Sequence, residues 1–135
     1  RMYKKRVLIV DDNTDISNTL KINLEMAGQY DVRVENRSVK ARQSARQFKP
    51  DIILLDVIMP EKDGGMVAAE LEADSELRKV PIIFLTSIVD REEAARKGGR
   101  LGNAPLLAKP FTMNELLPLI EKCCAGASTP TSAPR

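Results

Sequence analysis

Five short runs of apolar, mostly branched residues punctuate the chain, at residues 7–10, 30–34, 52–55, 82–85 and 105–107. Each is bounded by charged or turn-forming residues and reads as a strand. Helical spacing fills the intervals. In the first interval Ile16, Leu20, Leu24 and Ala27 share one face, and Gly28 ends the pattern. The second aligns Ala41, Ala45 and Phe48, with Arg42, Arg46 and Lys49 beside them. Val67, Leu71 and Leu77 mark a third helix, residues 92–97 a short fourth closed by Gly98 and Gly99, and residues 113–124 the last. Pro118 falls inside that last helix, where a missing amide donor predicts a kink or a tighter turn.

Five strands alternating with helices predict an α/β fold, a parallel sheet with helices on both faces, because right-handed crossovers cover both sides. The first, third and fourth strands are nearly continuous apolar runs, as strands buried on both faces should be. The second alternates Val32 and Val34 with Arg33 and Glu35 and belongs at an edge. Pro105 opens the fifth, which a strand start at an edge tolerates and a mid-sheet position does not. The five-stranded order meeting these demands is 2-1-3-4-5, with its switch point between strands 1 and 3.

A chain of 135 residues suits one domain. We expect it to occupy residues 1–125, with the small, polar, proline-containing segment 126–135 as a disordered tail or linker. The apolar runs fall far short of the roughly 20 residues that span a bilayer, and no leader pattern opens the chain, so the expectation is a cytoplasmic protein with no membrane role. Cys123 and Cys124 are adjacent and cannot staple distant parts of the fold. There is no histidine, which removes Ser-His-Asp and Cys-His catalysis and most zinc chemistry.

At the carboxyl ends of strands 1 and 3, neighbours in the predicted order, stand Asp11, Asp12 and Asp56. Two carboxylates about 5 Å apart repel by roughly 3 kcal/mol at an effective dielectric near 20. Three of them call for a hard divalent cation, and an all-oxygen, partly open site suits Mg2+. Thr86 ends strand 4 and Lys109 follows strand 5, bringing a hydroxyl and an amine to the same rim. Capping explains any one of these residues, but not four of five strand ends converging on one rim.

At these residues the chain resembles the receiver domain of two-component response regulators, which have a flavodoxin-like fold. The resemblance spans residues 5–122. It rests on Val7-Leu8-Ile9-Val10-Asp11-Asp12-Asn13, on Asp51-Ile52-Ile53-Leu54-Leu55-Asp56 followed by Met59-Pro60 and Asp63-Gly64, on Pro81-Ile82-Ile83-Phe84-Leu85-Thr86, and on Lys109-Pro110-Phe111. It implies a phosphoacceptor signalling domain, not an enzyme acting on metabolites, in which Asp56 takes a phosphoryl group from a phosphohistidine on a sensor histidine kinase or a histidine phosphotransfer protein. The resemblance further implies that Asp11, Asp12, Asp56 and the backbone carbonyl of Ile58 hold Mg2+. Thr86 and Lys109 would bind the phosphoryl oxygens, and the Lys109–Pro110 peptide would be cis. A downstream protein would read the face of the fourth helix, fifth strand and fifth helix, and a homodimer formed on phosphorylation stays open. An ionised carboxylate needs no general base, so the missing histidine is the donor's to supply.

Two positions depart from the family pattern. Leu106 replaces the aromatic usual three residues before the site lysine and can couple to Thr86 only by packing, which predicts a smaller or different reshaping of the output face. Ile58 offers no group to orient a water, which predicts a long-lived acyl phosphate. An aspartate-nucleophile Mg2+-dependent phosphatase is the alternative, yet that chemistry expects an acid at position 58. A flavodoxin-like cofactor site would need a phosphate-cradling loop after strand 1, where Asp11 and Asp12 would repel the anion. The basic run Arg33, Arg37, Lys40, Arg42, Arg46 and Lys49 lacks interleaved aromatics, so it fits a solvated face or a dock for an acidic partner better than nucleic acid.

Overall fold

Strand β1 (Lys5–Val10) illustrates how the apolar runs fold. Successive side chains of a strand point to opposite faces, so Val7 and Ile9 enter one core while Leu8 and Val10 enter a second, all four fully buried. In the computed structural model, which describes residues 3–87 and 100–132, β3 (Ile52–Asp56) and β4 (Ile82–Thr86) divide their side chains the same way. Helices α1 (Thr14–Met26) and α4 (Met113–Ser132) close the first core with Leu20, Leu24, Leu116 and Ile120. Helices α2 (Ala41–Phe48) and α3 (Gly64–Glu72) close the second with Ala41, Ala45, Val67 and Leu71. Each fully buried Leu or Ile contributes about 1.5–3 kcal/mol of transfer free energy.

With β2 (Tyr30–Glu35), β5 (Arg100–Leu101) and β6 (Ala104–Ala108), the sheet order is β2-β1-β3-β4-β6-β5. Its five parallel strands follow the expected 2-1-3-4-5 order, with β6 as the fifth. The addition is β5, which pairs antiparallel outside β6 through Arg100 and Pro105, so the Pro105 strand is not the outermost.

Three expectations change. Ile16 is 43% exposed, and Ser17 takes the inward position at the start of α1, where a side-chain amide meets it. Leu77 is buried, but α3 ends at Glu72, and Leu77 sits in a following turn whose amides bond to Asp74. Helix α4 runs unbroken through Pro118, where a kink or a tighter turn was expected, and continues to Ser132. The fourth helical pattern, residues 92–97, lies outside the described residues.

Candidate functional site

Parallel register carries the strand ends to one rim. Val10 pairs with Leu55, which sets Asp11 beside Asp56, and Thr86 pairs with Ala108, which sets Lys109 at the end of the adjoining strand. The Lys109 amide then donates to the Thr86 carbonyl at 2.8 Å, and the Lys109–Pro110 peptide is cis. Asn13 caps α1 by accepting from the Ile16 amide at 3.0 Å, so the capping role does not fall to Asp12.

The chain thus brings Asp11, Asp12, Asp56, Thr86 and Lys109 together. One carboxylate oxygen from each of the three aspartates lies within 4.8 Å of the others. Asp11 and Asp56 are buried and Asp12 is exposed. Asp11 accepts from Lys109 Nζ at 2.8 Å and from the Asn13 amide at 2.9 Å. Lys109 Nζ lies 3.6 Å from Asp56 Oδ1. Burial pushes the Asp56 carboxyl up to about 6; Lys109 opposes that shift, and Asp11 and Asp12 reinforce it. A carboxylate kept this reluctant to ionise by burial and by two like charges is one a divalent cation relieves. Three clustered hard oxygen donors, one of them open to solvent, fit Mg2+. Thr86 is fully buried at the end of β4, and Ile58 is 52% exposed at the rim.

The loop after Asp56 turns back tightly. The Gly64 amide donates to the Val57 carbonyl at 2.7 Å, and a Cβ on Gly64 would lie 2.4 Å from the Asp56 carbonyl oxygen, so only glycine fits there. Asp63 caps α3 through the Met66 amide at 2.9 Å.

Sequence reasoning missed Asn36. Its side-chain amide donates to the Asp11 carbonyl at 2.6 Å and to Ser17 Oγ at 3.0 Å, tying β1 to the start of α1. A polar residue just past an edge strand was the available signal. The basic run is largely engaged within the molecule. Arg42 and Arg46 both donate to the buried Asp74 carboxylate, at 2.8 and 2.7 Å, and the pair holds that carboxyl far below its ordinary range. Arg37 pairs with Glu61, and the Arg33 guanidinium lies 5.4 Å from the centroid of the Phe48 ring. Leu106 belongs to the second core, in register with Phe84.

Comparison with known proteins agrees with this geometry. The response regulator receiver domain family matches residues 7–121. The DNA-binding dual master transcriptional regulator RpaA of Synechocystis is 38% identical over 112 residues, which are 83% of this chain and 46% of that protein. The chain thus spans about half the length of such transcriptional relatives. It matches Protein PilH of Pseudomonas aeruginosa at 35% identity over 90% of this chain and 98% of that protein. Among solved structures, the receiver domain of a sensor histidine kinase from Pseudomonas aeruginosa, with magnesium ion coordinated in its active site cleft, superposes with a TM-score of 0.76 at 30% identity, covering 91% of this chain and 99% of that one.

The chain belongs to the response regulator receiver domain family. It is a receiver domain of two-component signalling, and no helix among the described residues is long and apolar enough to cross a membrane.

Proposed function

We propose that Asp56 is the phosphoacceptor and that Asp11, Asp12, Asp56 and the Ile58 carbonyl hold Mg2+ during the transfer. The observation that carries this reading is the clustering of three carboxylates, two of them buried, beside Lys109. When bound, the cation supplies charge neutralisation for the incoming phosphoryl oxygens. An Asp56 oxygen attacks phosphorus while the bond to the donor's histidine nitrogen breaks, and the departing imidazole keeps that electron pair. The product is an acyl phosphate. The phosphoryl group brings about one further negative charge and new acceptor oxygens. Lys109, already 3.6 Å from Asp56, and Thr86 at the adjoining strand end are placed to answer them.

A groove of about 1070 Å³ opens from the acids past Ile16 to Pro110 and Phe111, far more room than an ion needs. This is where a histidine from a kinase or a phosphotransfer protein would enter. The chain catalyses only its own phosphorylation and dephosphorylation. It is a cytoplasmic switch whose modification is read by a downstream protein, on a face that includes β6 and α4.

Incubation with acetyl phosphate and Mg2+ tests the reading. Mass spectrometry should find one base-labile phosphoryl adduct that Asp56→Asn abolishes. Continuous phosphate release without an adduct, or an adduct that survives Asp56→Asn, would overturn it.

A further inference from the structure

The segment between β2 and α2 touches both acid-bearing loops. At its start, Asn36 binds the Asp11 carbonyl. Beyond it, the chain from Pro60 to Lys62 makes an unusual turn: the Lys62 amide donates to the Pro60 carbonyl at 2.8 Å, and Glu61 between them has φ 75°. A three-residue turn with a positive central φ is rare and strained for a residue bearing a side chain. It persists only where its surroundings over-determine it.

Ser38 does so. Its hydroxyl donates to the Pro60 carbonyl at 2.8 Å and accepts from the Lys62 amide at 3.1 Å, so one buried side chain grips both ends of the turn. Its neighbour Arg37 holds the apex through the Glu61 carboxylate at 2.8 Å. The turn follows Ile58 and Met59 directly and precedes Gly64, whose amide bonds back to Val57. The clamped turn therefore fixes one end of the short backbone stretch that presents Asp56 and the Ile58 carbonyl.

We propose that Ser38 is a positioning residue for chemistry at Asp56, acting through the Pro60–Lys62 turn to set where the Ile58 carbonyl and the Asp56 carboxylate lie relative to Asp11 and Asp12. This rests on the phosphoacceptor reading above. Removing the hydroxyl leaves the Pro60–Lys62 hydrogen bond in place, so the fold survives while the turn loosens.

The test compares the full chain with Ser38→Ala and Arg37→Ala, the latter a half-exposed position where folding is not at stake. Three quantities are read: amide hydrogen exchange at Lys62 and Gly64, Mg2+ affinity from amide shifts of residues 11–13 and 56–59, and the rate of adduct formation with acetyl phosphate at saturating Mg2+. In Ser38→Ala, exchange at Lys62 should accelerate, and Mg2+ affinity and labelling should each fall about 3- to 10-fold, on the scale of one net hydrogen bond, because the Lys62 amide loses Ser38 but keeps its bond to the Pro60 carbonyl. Arg37→Ala should move all three in the same direction but less, and Ser38→Thr, which restores a hydroxyl, should recover part of the loss. Unchanged affinity and labelling despite faster Lys62 exchange would overturn the proposal. So would a loss matched by an equal acceleration of exchange throughout the sheet, which would make Ser38 merely structural. If the wild-type chain binds Mg2+ but takes no phosphoryl group, the phosphoacceptor reading fails, and the Mg2+ affinities still decide whether Ser38 positions the acids.

Discussion

Lys109 Nζ sits 2.8 Å from Asp11 and 3.6 Å from Asp56, so one cation serves two buried carboxylates drawn from different strands. Counting Asp12, the cluster carries three acids against one lysine, a formal charge of minus two. Lys109→Gln removes the cation that, among the described residues, lies between the buried pair. Breaking a buried ion pair from one side leaves an uncompensated charge, worth about 2 to 4 kcal/mol at a partly buried site. Thermal unfolding in metal-free buffer at neutral pH should show that loss, and Mg2+ should restore part of it. A variant as stable as the wild type without metal would mean the pair contributes little.

The raised Asp56 carboxyl gives stability a pH dependence of known sign. Its ordinary value is 3.8 and burial lifts it to about 6, so the folded state holds the proton more tightly than the unfolded chain. That preference is fully present below the unfolded value and is lost as pH rises through the folded one. Asp56→Asn mimics the protonated acid. In metal-free buffer it should therefore stabilise the protein by about 1 to 2 kcal/mol near pH 7, after allowance for solvent screening, and by nothing near pH 4. Urea unfolding at the two pH values checks this. A gain at both, or at neither, would contradict the assignment.

Metal should act in the opposite direction to ionisation. A ligand that binds only the folded state at about 100 times its dissociation constant stabilises by about 2.7 kcal/mol. Mg2+ should raise the melting temperature of the wild type accordingly, and a chelator should reverse the rise. Asp12 is the exposed member of the three, so Asp12→Asn leaves the buried architecture intact and should abolish most of the Mg2+ effect. An undiminished shift in that variant would place the cation elsewhere.

Asp74 has the reverse pH signature. Hydrogen bonds from Arg46 and Arg42 hold its carboxyl below the ordinary range, so its contribution is present above the unfolded value and fades as pH falls. The carboxylate also accepts from the Glu76 amide at 2.8 Å, joining α2 to the turn after α3. Asp74→Asn should lower the melting temperature at neutral pH and flatten its decline in acid, as circular dichroism melts across that range would record. An unaltered acid limb would show that other carboxylates set it.

Most of the site was legible in the sequence because strand ends are. A parallel strand buried on both faces reads as an apolar run, and the residue that stops the run lies at the rim, which is how Asp11, Asp56 and Thr86 announced themselves. Side chains that act on backbone across long sequence separations left no such mark. Asn36 meets Asp11, and Ser38 meets Pro60 and Lys62, through bonds that no periodicity encodes. The internal engagement of the basic run was hidden for the same reason: the partner of Arg42 and Arg46 is Asp74, about thirty positions away. Ile16 went astray because helical spacing records which residues share a face, and not how far the helix end rises above the sheet.

If Asp56 is the phosphoacceptor proposed above, Ile58 bears on how long the signal lasts. Its side chain is half exposed at the rim of the acid cluster and lines the groove beside Asp56, Lys109 and Pro110. Hydrolysis of an acyl phosphate needs a water aligned with phosphorus, and a hydrocarbon side chain cannot hydrogen-bond that water into line. An amide at the same position can. Ile58→Asn should therefore shorten the acyl phosphate half-life by about 3- to 10-fold, well below the ceiling for a full general base because the amide only orients. The position is exposed, so stability should change little. Following loss of the labelled species after removal of acetyl phosphate measures the effect, and equal half-lives in the two proteins would show that solvent access at this position does not govern dephosphorylation.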